Sequence, residues 1–150
     1  LLPEEPGLIL EEVCQEPLYL ALPQNHRLAQ RKSIERHELD GEIFILGNDR
    51  RSDAKLAQML GFEPKTSKRV DELLTALTLV SSGSGITFAP PSSLSLRIPN
   101  VVYLPLAGTP EMSFSLQCMY RENNCSPLLQ SLLEIVRAFR ANNQAICHQP

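Results

Sequence analysis

The stretch of this chain whose residue types best suit ligand chemistry is Gly47-Asn48-Asp49-Arg50-Arg51-Ser52. It follows the apolar run EIFIL at residues 42–46 and leads into residues 51–60, where Leu56, Met59 and Leu60 share one helical stripe. A loop that leaves a strand and opens a helix turns unpaired backbone N–H groups outward, at the positive end of the helix dipole. The adjacent guanidinium groups of Arg50 and Arg51 suit a carboxylate. Asn48, Asp49, Arg50, Arg51 and Ser52 are therefore candidates for holding a small anion. The competing reading of the same residues is a capped helix start with solvated arginines.

Other reactive groups are less suggestive. Ser81-Ser82-Gly83-Ser84-Gly85 looks like a phosphate loop but lacks the Gly-Lys-Ser/Thr ending, and it follows a helical segment instead of preceding one. Gly83, Gly85 and Pro90 are read as a structural turn: a helix stop, a tight entry into a strand, and the end of that strand. His26 and His37 could pair with Asp40 or Cys14 for catalysis only if the fold assembled them, and nothing in the spacing does so. Cys14, Cys118, Cys125 and Cys147 have irregular gaps and no CxxC, which speaks against zinc and for reduced thiols. Cys118 is expected as packing in a strand, and Cys125 lies in a polar turn before a helix, where a thiol is easily activated. The sequence therefore implies no catalytic residues, no metal and no cofactor.

These loops need elements to position them. Residues 7–13 and 17–22 are short apolar runs bounded by turn residues and predict two strands. Residues 33–39 predict a helical turn capped by Ser33. Residues 42–46 predict a strand, apolar without alternation, as when both faces are covered. A helix follows over 51–60. Residues 65–70 predict a strand, and Asp71 is placed to cap a helix carrying Leu73, Leu74, Leu77 and Val80. Strands over 85–89, 101–104 and 112–120 complete the set, with a short helix over 92–96 and a final helix with Pro127 at its first position. The residues after about 141 are expected to fray. Strands alternating with helices imply an α/β fold with a mostly parallel sheet and helices on both faces. Such sheets bind ligands at the carboxyl ends of their strands.

Composition narrows the class. The chain has 150 residues, 43% of them hydrophobic, enough for an ordinary core. A net charge of -3 argues against a nucleic-acid-binding surface in this segment. No apolar run approaches the ~20 residues of a membrane span, so no membrane partner is expected. The opening Leu1-Leu2-Pro3-Glu4-Glu5 has no basic n-region and reads as a chain that begins inside a longer one.

Three stretches resemble the effector domains of LysR-type transcription regulators. Residues 17–31, PLYLALPQNHRLAQR, are similar to the family's strand ending in "LP" and its "HPLA" turn, with Arg27 in place of the usual proline. Residues 39–46, LDGEIFIL, are similar to its leucine-led entry into a strand. Residues 73–90, LLTALTLVSSGSGITFAP, resemble its helix, its "V-x-x-G-x-G-I" turn and its strand ending in proline. The resemblance covers roughly residues 8–140.

The resemblance implies a type 2 periplasmic-binding-protein-like fold, with one complete subdomain and part of a second. Residues 1–19 and 109–141 would belong to subdomain I, residues 20–108 to subdomain II, and residues 142–150 to a tail. The family's loop corresponding to residues 47–52 lines an effector cleft between the subdomains, so the resemblance favours the anion reading. It implies a cytoplasmic, non-enzymatic regulatory domain that senses a small-molecule effector. It further implies a homodimer or homotetramer, with the helix at 51–60 packing on a partner and with DNA bound only through an N-terminal winged helix-turn-helix that has no counterpart in this sequence. The alternatives are a transporter's solute-binding protein and a dehydratase-type enzyme on the same fold.

Overall fold

Alternation of side chains along two central strands organises the larger part of the molecule. The computed structural model describes residues 6–50, 53–107 and 113–144. They fall into two compact units, divided between Gln15 and Glu16 and again between Ser113 and Phe114.

In the larger unit, β2 (Tyr19–Pro23) lies between β5 (Thr87–Ala89) and β6 (Val101–Pro105). β3 (Ile43–Gly47) pairs with β4 (Lys65–Val70). A parallel bridge between Phe44 and Ile86 joins the two ladders, so the strands run in the order β4-β3-β5-β2-β6. On one face Leu20, Leu22, Phe44 and Leu46 pack with Leu28, Leu39 and the α1 (Asp53–Leu60) residues Leu56 and Leu60. On the other, Ala21 and Ala89 meet Leu77, and Ile45 meets Ala76 and Val80, all three partners from α2 (Leu73–Ser81). Helices thus cover both faces, and Phe44, Ile45 and Leu46 are all buried, the reason their run shows no polar alternation.

The expectation of a mostly parallel sheet needs one correction. β3 and β4 are parallel, and the bridge makes β5 parallel to β3. β2, however, is antiparallel to both β5 and β6. The four later strands therefore share one direction, as helical crossovers require. β2 is the exception because no helical crossover joins it to either neighbour: β5 and β6 reach it only after β3 and β4 have intervened.

Two helix starts also differ from expectation. The turn predicted from Ser33 is a 3₁₀ helix over Arg36–Leu39, capped by Glu35 in a reciprocal box with Glu38. Ser33 precedes an isolated bridge that ties Ile34 to Leu106, so its backbone is held outside the turn. Glu72, not Asp71, is the N-cap residue of α2, and it makes no side-chain cap bond. The Asp71 carboxylate is engaged by Asn48 instead. The predicted helix over 92–96 is a 3₁₀ turn, Pro91–Leu96.

The helix stop at Gly83 is realised as expected. Gly83 has φ +80°, its N–H donates to the Val80 carbonyl, and Ser84 N–H donates to that of Leu79. Gly85 serves more than a turn. A Cβ there would lie 2.6 Å from the Ile43 carbonyl oxygen, where β5 comes against β3.

The smaller unit contains a two-stranded ladder of β1 (Leu8–Pro17), up to Gln15, with β7 (Ser113–Arg121) from Phe114 on, and α3 (Pro127–Gln144). Leu133 and Val136 are its buried apolar residues among those described. Arg137 forks onto Glu11 at 2.7 and 2.9 Å, and Arg140 donates to the Glu12 carbonyl. The Arg137 hydrogen bonds hold the Glu11 carboxyl below its usual range. The Arg137 guanidinium is correspondingly held above its own, through the same bonds to Glu11.

Candidate site at the carboxyl edge of the larger unit

Because β3, β4 and β5 share a direction, their carboxyl ends emerge along one edge of the sheet, at Gly47, Val70 and Ala89. Each is followed by a helical segment: α1, α2 and the 3₁₀ turn Pro91–Leu96. This is the edge at which α/β sheets present loops and helix starts to ligands.

Of the five predicted loop residues, Asn48, Asp49 and Arg50 are exposed here, while Arg51 and Ser52 lie outside the described residues. Asn48 is tied to the end of β4 twice. Its N–H donates to the Val70 carbonyl at 3.2 Å, and its Nδ2 donates to Asp71 Oδ1 at 2.7 Å. The start of α1 carries Asp53, whose carboxylate accepts from Arg69 Nη2 at 2.7 Å and from Nη1 at 3.3 Å. The same Nη1 donates to the Gly47 carbonyl at 2.8 Å. On the β5 side, the Ser92 N–H donates to Glu16 Oε2 at 2.7 Å, fixing the 3₁₀ turn.

Sequence reading missed Arg69, Asp53 and Glu16, and gave Asp71 a capping role instead of its bond to Asn48. One signal was available: strand residues at the end of β4 must sit beside the loop that ends a neighbouring parallel strand. That β4 neighbours β3 is a tertiary fact, absent from local pattern. The partnership changes the electrostatics of the loop. Asp53 already places a negative charge in the first turn of α1, and Arg69 compensates it, leaving Arg50 as the described cation of residues 48–50.

The remaining candidates are not assembled into chemistry. His26 Nε2 lies 3.1 Å from Glu42 Oε2, and its Nδ1 accepts from the Leu28 N–H, so the ring serves as a link between two loops. Arg27, the departure from the family's proline, donates to the same Glu42 at 2.8 Å and to the Glu38 carbonyl. His37 is an exposed residue of the 3₁₀ helix. Cys118 is half-buried and not enclosed, because β7 has its residues largely exposed, and Cys125 is exposed. No group of three metal-ligating side chains occurs among the described residues. No described helix is long and apolar enough to cross a membrane.

The Tyr103 hydroxyl is buried, with the Ser93 side chain as its polar neighbour. Burial raises the pKa of its phenol, and the Ser93 side chain offsets part of that rise.

The class that this fold defines is the type 2 periplasmic-binding-protein-like domain. A crystal structure of CbnR, described as a LysR family transcriptional regulator, superposes with a TM-score of 0.80 at 26% identity, covering 93% of this chain and 50% of that one. The BenM effector-binding domain with its effector benzoate superposes with a TM-score of 0.80 at 25% identity, covering 96% of this chain and 68% of that one. The family model for the LysR substrate binding domain matches residues 1–141, and the chain belongs to that family. The HTH-type transcriptional regulator TdfR of Cupriavidus pinatubonensis is 28% identical over 141 residues, 90% of this chain and 48% of that protein. The HTH-type transcriptional regulator CatR of Pseudomonas putida is 30% identical over 139 residues, 89% of this chain and 47% of that protein. The chain spans about half the length of the curated relatives it matches.

Proposed function

We propose that this chain is effector-sensing sequence from a LysR-type transcription regulator, and that a small carboxylate-bearing metabolite binds at the carboxyl edge of the larger unit. The observation that carries this reading is that the carboxyl ends of β3, β4 and β5 share one edge of the sheet in a member of this family, with Arg50 exposed in the loop that leaves β3 and Arg51 next to it in sequence. The benzoate described for the BenM domain supports a carboxylate as the recognised group. Asn48, Asp49, Arg50, Arg51 and Ser52 form the binding loop in this reading. Residues 20–108 then correspond to subdomain II, and residues 1–19 and 109–141 to part of subdomain I.

Sensing needs no reaction on the ligand. It needs an effector that binds one arrangement of the protein more tightly than another. DNA is engaged through a separate helix-turn-helix segment, as suggested by the structure of full-length CbnR with its target DNA. The protein acts in the cytoplasm as a homodimer or homotetramer, with α1 contributing to pairing. Sedimentation of the protein tests that assembly, and a strictly monomeric species counts against it.

Titration with a panel of organic acids, benzoate among them, tests the site. Arg50→Ala and Arg51→Ala are each expected to weaken binding of the best acid about tenfold or more, since a charge-assisted fork is lost. Unchanged affinity in both variants rules out the loop as the anion site.

A further inference from the structure

We propose that Arg69 is the positioning residue for the two ends of the connection between β3 and α1, acting through the Gly47 carbonyl and Asp53 without touching ligand itself. This rests on the reading of that connection as the effector-binding element, and it assigns a role to a residue of the neighbouring strand.

The argument is geometric. The loop leaves β3 at Gly47 and enters α1 at Asp53. One guanidinium grips both ends: Nη1 bonds the Gly47 carbonyl and one Asp53 oxygen, and Nη2 bonds the other Asp53 oxygen. The distance between the loop's two ends is thereby set by a rigid planar fork. Lysine lacks that fork and reaches one end or the other. The Arg69 and Asp53 side chains are 22% and 32% exposed, so water competes only partly for them. Between these ends, Asn48 is fixed a second time by the Asp71 carboxylate and the Val70 carbonyl. Three consecutive residues at the end of β4, Arg69, Val70 and Asp71, thus specify where residues 47, 48 and 53 sit.

The fork also has an electrostatic effect. By holding the Asp53 carboxylate, Arg69 keeps that charge at the rear of the loop. Released, Asp53 would compete with an incoming anion for the N–H groups opening α1 and for Arg50. Loss of Arg69 should therefore weaken anion binding both by freeing the loop and by freeing a rival carboxylate. Asp53→Asn separates the two effects, since it frees the loop without leaving the rival charge.

The test is site-resolved amide exchange on the full protein, with benzoate titration as a second measurement. In Arg69→Lys, exchange at Asn48 and in the first turn of α1 should rise about tenfold or more, while Leu20, Ala21 and Leu22 in β2 keep their protection. Asp53→Asn should give part of that rise, since the Arg69 bond to the Gly47 carbonyl remains, and the double variant should be no faster than Arg69→Lys, in which the fork onto Asp53 is already lost. Lys68→Gln, one residue earlier on β4, should change nothing. Benzoate binding should weaken more in Arg69→Lys than in Asp53→Asn. Exchange at Asn48 equal to that of the parent in Arg69→Lys overturns the proposal, whatever benzoate does. So do fully additive single variants, or a uniform rise across β2. If the loop responds but Arg50→Ala leaves benzoate affinity untouched, the anion site is lost and the positioning role of Arg69 stands.

Discussion

The two units solve the problem of apolar burial differently. The larger one closes its core from both sides: Leu20, Ala21, Leu22, Phe44 and Ile45 are fully buried, and rings such as Phe44 and Phe88 stack at 5.6 Å. The smaller unit covers one stripe of α3, with Leu133 and Val136 buried, and leaves another bare. Leu128, Leu132, Ile135 and Phe139 recur at helical spacing and remain exposed, Leu128 at 83% and Ile135 at 66%. Phe114, Leu116 and Met119 of β7 are exposed as well. One unit is held mainly by packing. The other adds polar ties to its two buried residues, among them the Arg137–Glu11 fork and the Arg140 bond to the Glu12 carbonyl.

That contrast can be broken or sharpened by mutation. The largest effect is expected in the larger unit: Phe44→Ala should cost about 3–5 kcal/mol by deleting a fully buried ring, as read by chemical denaturation. A loss under about 1 kcal/mol would show the core far looser than its burial implies. Next, Gly83→Ala should destabilise by about 1 kcal/mol, because the left-handed residue that stops α2 would gain a Cβ. Its thermal midpoint should fall, with effector affinity unchanged.

Acid should then distinguish the units. Arg137 bonding lowers the Glu11 pKa, so its contribution is fully present above the ordinary value of 4.5 and disappears as pH falls through the lower folded value. Glu38 behaves likewise, lowered chiefly by the Glu35 N–H. The Glu38 site is one turn on a packed core, whereas the Glu11 site is a main tie of its unit. Amide protection in β7 and α3, taken relative to the intrinsic exchange rate at each pH, should therefore fall below pH 4.5 before protection in β2 does. The smallest effect is expected at Ile135→Gln, within about 0.5 kcal/mol, since the side chain is already in water. A larger loss would mean that this stripe is covered in solution.

Much of the architecture was readable in the residues because the controlling physics is local. The strand predicted over 42–46 is Ile43–Gly47 with Phe44, Ile45 and Leu46 buried, 65–70 is a strand and 73–81 a helix ended by Gly83, each marked by hydrophobic period or turn chemistry. Pro127 opens α3 as expected, although the helix continues to Gln144, past the point where fraying was anticipated. What failed depended on neighbours distant in sequence. Asp71 has an ordinary capping position, but a residue 23 places earlier, Asn48, claims its side chain. Ser33 has a capping side chain, but the bridge between Ile34 and Leu106 governs that backbone. β2 runs against its neighbours because of strand order, which no local pattern encodes. At the candidate site, the loop itself was visible, yet Arg69 looked like an ordinary basic residue of an exposed strand until its position beside Gly47 and Asp53 was known.

The bare hydrogen of Gly85 against the Ile43 oxygen also limits how the edge that carries the candidate loop can move. A slip of β3 by one residue would turn Phe44 and Ile45 to opposite layers and push a different backbone atom into that narrow gap. The seam accepts a single alignment. Any displacement of Asn48 must then come from bending beyond Gly47 or from carrying both strands together as one plate. Sliding is closed to it.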